Sequence, residues 1–145
     1  MNLRRAELTE REMPAGFEHA RASVREALGG ELIGCSLYEV PARARLWPFH
    51  YHVGNEEWLL VVTGTPTLRT PDGERTLAEG DVVAFPEGEA GAHTLTNSTD
   101  EPMRVAIFST LGRGWVIYPD SKKVGAGGGY FRLADEVDYW AGEAG

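Results

Sequence analysis

The segment that decides the fold is His50-Tyr51-His52-Val53-Gly54-Asn55-Glu56-Glu57-Trp58-Leu59-Leu60-Val61-Val62-Thr63-Gly64. It opens with a His-x-His pair, and residues two apart in a strand point to the same side, so both imidazoles can reach one ion. Taken alone, the pair fits a solvated strand face equally well. A turn then leads to two acidic residues at the start of a dense apolar run. A carboxylate from this next strand, Glu56 or Glu57, can supply a third ligand.

A third histidine, His93, lies further along in Gly91-Ala92-His93-Thr94-Leu95-Thr96-Asn97. If Leu95 faces the interior, His93 faces it too, because side chains in a strand alternate with a period of two. A buried polar group without a partner costs about 1–3 kcal/mol. A metal ion shared with the other histidines is one way to supply that partner.

The rest of the chain predicts many short strands. Turn signals rich in Gly, Pro and Asp separate apolar or alternating runs at intervals of about 8–12 residues, which is typical of an all-β sandwich or barrel. Glycine occurs 18 times and proline 8 times in the 145 residues, which favours strands and turns over a helical bundle. The predicted strands are Leu32–Val40, Glu57–Thr63, Thr65–Thr70, Glu74–Ala78, Val82–Phe85, His93–Asn97, Met103–Thr110 and Gly114–Tyr118.

Two motifs in this order resemble those of the cupins. The resemblance covers roughly residues 32–110, and a looser likeness continues into the tail. One departure is the gap of four residues between Gly88 and His93, where the common form has two, and we expect it to widen a loop at the barrel mouth. The first motif is carried by His50, His52, Glu57 and Gly64, with Pro48 ahead, and the second by Gly80, Pro86, Gly88, His93 and Asn97.

The resemblance implies an all-β fold, the double-stranded β-helix or cupin jelly roll, with short helical or irregular N- and C-terminal extensions. It also implies a metal site formed by His50, His52, Glu57 and His93. Strand parity alone does not choose between Glu56 and Glu57, because both faces of the run are apolar, but the six-residue spacing to Gly64 favours Glu57. Three imidazoles and one carboxylate suit Fe, Mn, Ni, Co, Cu or Zn.

The function implied by the resemblance is that of a metal-binding cupin that binds or acts on a small oxygenated acid or sugar derivative. As an enzyme it would be of the dioxygenase, decarboxylase or sugar isomerase type, and no catalytic acid or base is assigned. The alternatives are a non-catalytic small-molecule binding module and a metal-free sugar epimerase or isomerase on the same fold. The complete set of three histidines and a glutamate argues against the metal-free enzyme.

Several residues near the first motif could line a pocket for an acidic ligand. Arginine binds carboxylates well, and aromatic side chains supply apolar walls. The alternative is an exposed strand edge with packed aromatic side chains. The candidates are Arg45, Tyr51 and Trp58, with Arg43 and Trp47 beside them.

The chain divides into an N-terminal arm and short helix (residues 1–31), a cupin barrel (32–118) and a C-terminal extension (119–145). Apolar residues at helical spacing predict helices over 17–28 and 133–141. His19 then lies on the surface of the first helix, and the glycine run 125–129 forms a flexible connector. We expect a homodimer built partly from residues 17–28 and 130–141, because sheet edges are commonly covered.

Composition excludes several classes of function. With 14 basic and 22 acidic residues the net charge is −8, and lysine occurs only at Lys122 and Lys123, so we expect no nucleic-acid partner. No apolar run approaches the ~18 residues that span a bilayer, so no membrane association is expected. We also expect no secretory signal and a cytoplasmic location. The single cysteine, Cys35, is expected to fill the core.

Overall fold

Antiparallel strands dominate the structure, a computed structural model that describes residues 1–10, 13–112 and 114–143. The strands of these ranges are β1 (Thr9–Glu10), β2 (Ala20–Ser23), β3 (Gly34–Val40), β4 (Tyr51–Val53), β5 (Glu57–Thr63), β6 (Thr67–Thr70), β7 (Gly73–Thr76), β8 (Val82–Phe85), β9 (Thr94–Thr96), β10 (Met103–Ser109), β11 (Trp115–Tyr118), β12 (Lys123–Ala126) and β13 (Gly129–Arg132). They form a six-stranded sheet β1-β2-β3-β10-β5-β8, a four-stranded sheet β13-β12-β11-β4 and a three-stranded sheet β7-β6-β9.

The predicted all-β class is confirmed. Each of the eight predicted strands occurs, and its bounds move by no more than two residues. Among the described strands, five of the twelve connections join antiparallel neighbours, as in the β6–β7 pair around the turn Pro71-Asp72, and the other seven pass from one sheet to another. Among the described residues, no helix has the length and apolarity that crossing a membrane requires.

Both faces of the six-stranded sheet are apolar. On β5, Leu59 and Val61 point into the main core, whereas Leu60 and Val62 pack into a second cluster on the outer face. This two-sided burial follows from the uninterrupted apolar run, which leaves neither face polar. The main core is formed by Val40, Ala44, Leu46, Leu59, Val61, Leu68, Leu77, Phe85, Leu95, Met103, Val105 and Ile107.

The N-terminal segment differs from its prediction. The helix expected over 17–28 is limited to α1 (Val24–Leu28), and the preceding Ala20–Ser23 pairs with β3 as a strand. The N-terminal arm ahead of this segment is partly packed, since Leu3 and Leu8 contact the outer cluster. The guanidinium of Arg104 donates hydrogen bonds to the carbonyl oxygens of residues 3, 4 and 6 and holds this segment against the sheet.

His19 is buried rather than on the surface, which corrects the prediction. It is 8% exposed, because its ring meets Tyr38 of β3 edge-on at 5.5 Å between centroids. Its Nδ1 lies 3.0 Å from the carbonyl oxygen of Phe17. Cys35 is partly buried against the outer cluster, which agrees with a packing role, and burial raises the pKa of its thiol.

The C-terminal segment also differs. The glycine run is not a connector but the turn of a hairpin, in which Gly127 and Gly128 have positive φ angles and β12 pairs with β13. Two adjacent residues with positive φ suit the tight turn of a hairpin, where glycine has no steric cost. The helix expected over 133–141 is reduced to a 3-10 turn at Leu133–Asp135. Its apolar residues, among them Val137 and Trp140, are exposed.

Candidate metal centre

The two histidine motifs meet directly through their backbones. The amide of His50 donates to the carbonyl oxygen of His93 at 3.1 Å, and the amide of His93 donates to that of His50 at 2.8 Å. His50 comes just before β4 and His93 just before β9. The two backbone hydrogen bonds between them place the centroids of the imidazole rings 4.7 Å apart. His52 follows on the same side of β4, with its ring centroid 5.0 Å from that of His50.

Glu57 is the carboxylate that joins these histidines. It is the first residue of β5 and shares the inward face with Leu59. Its Oε2 lies 3.1 Å from Nε2 of His52 and 3.7 Å from Nε2 of His93. The ligand atoms of His50, His52 and Glu57 all lie within 4.8 Å of one another. Glu56 points away, is exposed and accepts a hydrogen bond at 2.7 Å from the indole nitrogen of Trp58.

Backbone carbonyls fix the tautomers of the two buried imidazoles. Nδ1 of His50 lies 2.9 Å from the carbonyl oxygen of Pro48, and Nδ1 of His93 lies 2.9 Å from that of Gly91. A carbonyl oxygen only accepts, so each Nδ1 carries the proton and each Nε2 presents a lone pair to the cluster. Nε2 of His93 is buried and has no hydrogen-bond partner.

The electrostatics keep both buried imidazoles neutral. Burial lowers the pKa of His93 to about 3. Burial, followed by the nearby His52, lowers the pKa of His50. Burial raises the pKa of Glu57, but the hydrogen bond from His52 and the surrounding imidazoles outweigh it, and the net pKa is lowered. Near neutral pH His50, Glu57 and His93 therefore offer deprotonated donor atoms, as metal coordination requires.

Aromatic rings enclose the cluster. Phe85 stacks on His93 with centroids 3.7 Å apart and planes 5° apart, and Tyr118 stacks on His50 at 5.8 Å. Trp47 meets both imidazoles edge-on at 6.0 and 6.1 Å. Trp47 was among the predicted pocket residues, whereas Phe85, which ends a predicted strand just before Pro86 of the second motif, was not. Nothing local indicates Tyr118, because its position depends on the pairing of β11 with β4.

The three proposed pocket residues lie elsewhere. Tyr51 alternates with His50 and His52 on β4 and is paired with Ile117 on the other face of the sheet. Trp58 is 49% exposed on the face of β5 opposite to Glu57. Arg45 is exposed, and its guanidinium lies 5.9 Å from the ring of Phe17. The structure therefore does not bring these side chains to the histidine cluster.

The loop before His93 is tight rather than wide, in contrast to the expectation. Glu89–Gly91 forms one 3-10 turn, and the amide of Gly91 donates to the carbonyl oxygen of Gly88 at 3.0 Å. A Cβ on Gly91 would lie 1.8 Å from the carbonyl oxygen of Pro86. Only glycine fits this close approach, which places the Gly91 carbonyl against the His93 ring.

Comparison with known proteins identifies the family of this chain. The family model for the cupin domain matches residues 36–109, and the chain belongs to that family. The double-stranded β-helix fold is thereby confirmed. No curated protein compared with the chain matches it in sequence.

Two solved structures are similar over nearly the whole chain. A sugar phosphate isomerase of the cupin superfamily from Silicibacter pomeroyi has a TM-score of 0.79 and 22% identity, with 96% of each chain covered. A protein from Acidithiobacillus ferrooxidans, provisionally described as a sugar phosphate isomerase, has a TM-score of 0.80 and 23% identity, with 94% of this chain and 91% of that chain covered. A predicted oxalate decarboxylase from Thermotoga maritima has a TM-score of 0.60 and 18% identity, with 72% of this chain and 94% of that chain covered. At these identities the likeness establishes the fold alone.

Proposed function

We propose that this cupin binds one divalent transition metal per chain through His50, His52, Glu57 and His93, and that a small oxygenated sugar derivative or acid binds at this centre. The observation that carries the proposal is the unpartnered Nε2 of His93, in a side chain that is 1% exposed. Leaving such a group unpaired costs about 1–3 kcal/mol, and a coordinated ion removes that cost.

The donor set fits a first-row transition ion. Three imidazoles and a carboxylate are donors of intermediate softness, which suit Fe, Mn, Ni, Co, Cu or Zn better than Mg or Ca. The carbonyls of Pro48 and Gly91 orient two of the rings, as outer partners of histidine ligands commonly do. Phe85 and Trp47 limit the access of water to the rings. When bound, such an ion supplies an electrophile for a substrate oxygen.

Sugar derivatives are the favoured substrate class. Two solved structures that match this chain nearly from end to end are described as sugar phosphate isomerases, one of them provisionally. The predicted oxalate decarboxylase, which leaves a quarter of this chain uncovered, supports a small acid less strongly. We therefore place sugar isomerisation ahead of decarboxylation.

A metal-free isomerase is the second candidate, and Glu57 would be its base. A general base works best when its pKa lies near the working pH. The hydrogen bond from His52 and the neighbouring imidazoles lower the pKa of Glu57 despite its burial, which makes it a weaker base and a better ligand. The electrostatics thus favour the metal-dependent function.

Metal analysis of protein purified without a histidine tag tests the proposal. We expect about one transition metal per chain, a loss of that metal in His93→Ala and a weaker affinity in Glu57→Gln. Glu56→Gln is the matched control, because it makes the same change one residue away on an exposed side chain. Full metal content in His93→Ala, or equal effects of the two glutamate substitutions, would contradict the assignment.

A further inference from the structure

The four-stranded sheet continues the face of the histidine cluster toward the C-terminus. Directly paired residues of antiparallel strands share a face. His52 pairs with Val116, and Tyr118, two residues on, lies on the same side. Tyr118 pairs with Lys123, and Lys123 pairs with Arg132. His52, Tyr118, Lys123 and Arg132 therefore lie on one face of this sheet.

Two tyrosine rings connect the cluster to Lys123. Tyr118 stacks on His50 with centroids 5.8 Å apart, and Nζ of Lys123 lies 4.7 Å from the centre of the Tyr118 ring. The ring of Tyr130 lies 5.7 Å from the same Nζ. A Cβ on Gly125 would lie 3.1 Å from the Tyr130 ring, so this glycine lets the tyrosines pack close to the hairpin. We call Tyr118, Lys123, Tyr130 and Arg132 the hairpin ledge.

The hairpin ledge is positively charged, because it contains a lysine and an arginine. Lys123 and Arg132 are directly opposite each other, which places their Cβ atoms about 4.5–5.5 Å apart and makes their like charges repel. Within residues 1–10, 13–112 and 114–143 neither forms an ion pair, whereas Arg69 is paired with Asp120 and Arg104 with Glu39. A bound anion would relieve this local repulsion, even though the net charge of the whole chain is −8.

We propose that Lys123 and Arg132 bind the phosphate group of a phosphorylated sugar whose oxygenated end reaches the histidine cluster. This inference rests on the proposed function for the oxygenated end alone. A phosphate monoester carries a charge of about −1.5 to −2 near pH 7, which matches two cations better than a carboxylate does. The two ring distances limit the separation between the His50 ring centre and Nζ of Lys123 to about 10.5 Å, a span that a bound pentose phosphate can bridge.

Calorimetry on the metal-loaded protein tests the hairpin ledge with three probes, D-ribose 5-phosphate, D-ribose and D-ribonate. Lys123→Gln and Arg132→Gln should each weaken binding of ribose 5-phosphate by about tenfold, the loss expected for one charge-assisted contact at a partly exposed site. Binding of ribose should not change. Lys122→Gln is the matched control, because it removes the neighbouring lysine, which lies in the turn before β12, and it should leave all three affinities within twofold of wild type.

Several outcomes would overturn the inference. One is that wild type binds ribose and ribose 5-phosphate with equal affinity. Another is that Lys122→Gln weakens binding of ribose 5-phosphate as much as Lys123→Gln does. A third is that ribonate binds as tightly as ribose 5-phosphate and depends on Lys123 to the same extent. Inorganic phosphate added to chelator-treated protein separates the two proposals. If metal analysis finds no metal in wild type, but phosphate binding to the chelated protein still depends on Lys123, the metal proposal fails and the phosphate proposal stands. If wild type binds metal but phosphate does not bind, the phosphate proposal fails and the metal proposal stands.

Discussion

Replacing His93 by leucine should separate metal binding from folding. In the metal-free protein the substitution removes an unpartnered buried nitrogen, which we expect to stabilise the fold by about 2 kcal/mol. It also removes the hydrogen bond to the Gly91 carbonyl and the stack on Phe85, which cost about 1 kcal/mol each. The expected net change in the free energy of unfolding is therefore within about 1 kcal/mol of zero.

With metal the same substitution should be costly. A ligand at one hundred times its Kd stabilises the folded state by about 2.7 kcal/mol, and His93→Leu should lose that gain. The assay is urea unfolding followed by tryptophan fluorescence, with chelator and with Zn²⁺. His19→Leu is the control, a second buried histidine outside the cluster, and it should lose stability equally under both conditions. The reasoning is refuted if His93→Leu keeps the Zn²⁺ stabilisation, or if wild type shows none and His93→Leu is several kcal/mol less stable.

Four further predictions concern pH, packing and assembly. The pKa of His93 is lowered from 6.5 to about 3 in the folded state, so the unfolded chain binds more protons between these two pH values. The free energy of unfolding of chelated protein should therefore rise with pH across that range, and it should rise less steeply in His93→Leu. Asn97→Ala should lower the free energy of unfolding by at least about 3 kcal/mol, because the buried Nδ2 donates to the carbonyls of Val40, Pro41 and Glu101. A decrease of less than about 1 kcal/mol in urea unfolding would count against this role. Gly91→Ala should weaken Zn²⁺ affinity, because a Cβ at this position displaces the carbonyl that orients His93, whereas Ala90→Ser at the exposed neighbouring residue should not. Equal Zn²⁺ affinities of the two variants in calorimetry would contradict the close contact between Gly91 and the Pro86 carbonyl. Light scattering at micromolar concentration should give about twice the 15.9 kDa chain mass, and a monomer would exclude the expected homodimer.

The strands could be predicted from the sequence because their signals are local. Glu57–Thr63 and Val82–Phe85 have the predicted bounds, since each is an apolar or acidic-apolar run that ends at Gly64 or Pro86. The spacing of the histidine motifs likewise identified the residues that the structure brings together. The preference for Glu57 over Glu56 needed both the spacing and, in the structure, the different directions of the Glu57 side chain at the start of β5 and the Glu56 side chain just before it.

The terminal segments could not be predicted because tertiary contacts decide them. Ala20–Ser23 fits helical spacing, but β3 offers an open edge, and backbone pairing with that edge overrides the local pattern. Residues 133–141 also fit a helix, yet their apolar side chains are exposed, and short helices that bury no apolar face are marginal. The adjacent glycines Gly127 and Gly128 favour a hairpin turn as well as the flexible connector that was predicted, and the structure has the turn.

The placement of Tyr118 and of the hairpin ledge had no local signal at all. Tyr118 reaches His50 only because β11 pairs with β4, about sixty residues earlier in the chain. The β12–β13 register then sets Lys123 opposite Arg132. The register between strands that are far apart in the sequence determines which side chains share a face. No short segment of the sequence indicates that register.

Anomalous X-ray diffraction from crystals of untagged protein tests the central claim most directly. With data at the absorption edge of the metal found by elemental analysis, we expect one peak per chain, about 2.0–2.2 Å from Nε2 of His50, His52 and His93 and from a carboxylate oxygen of Glu57. A peak at other residues, or electron density for the four side chains with no anomalous signal between them in protein supplied with metal, would contradict the account.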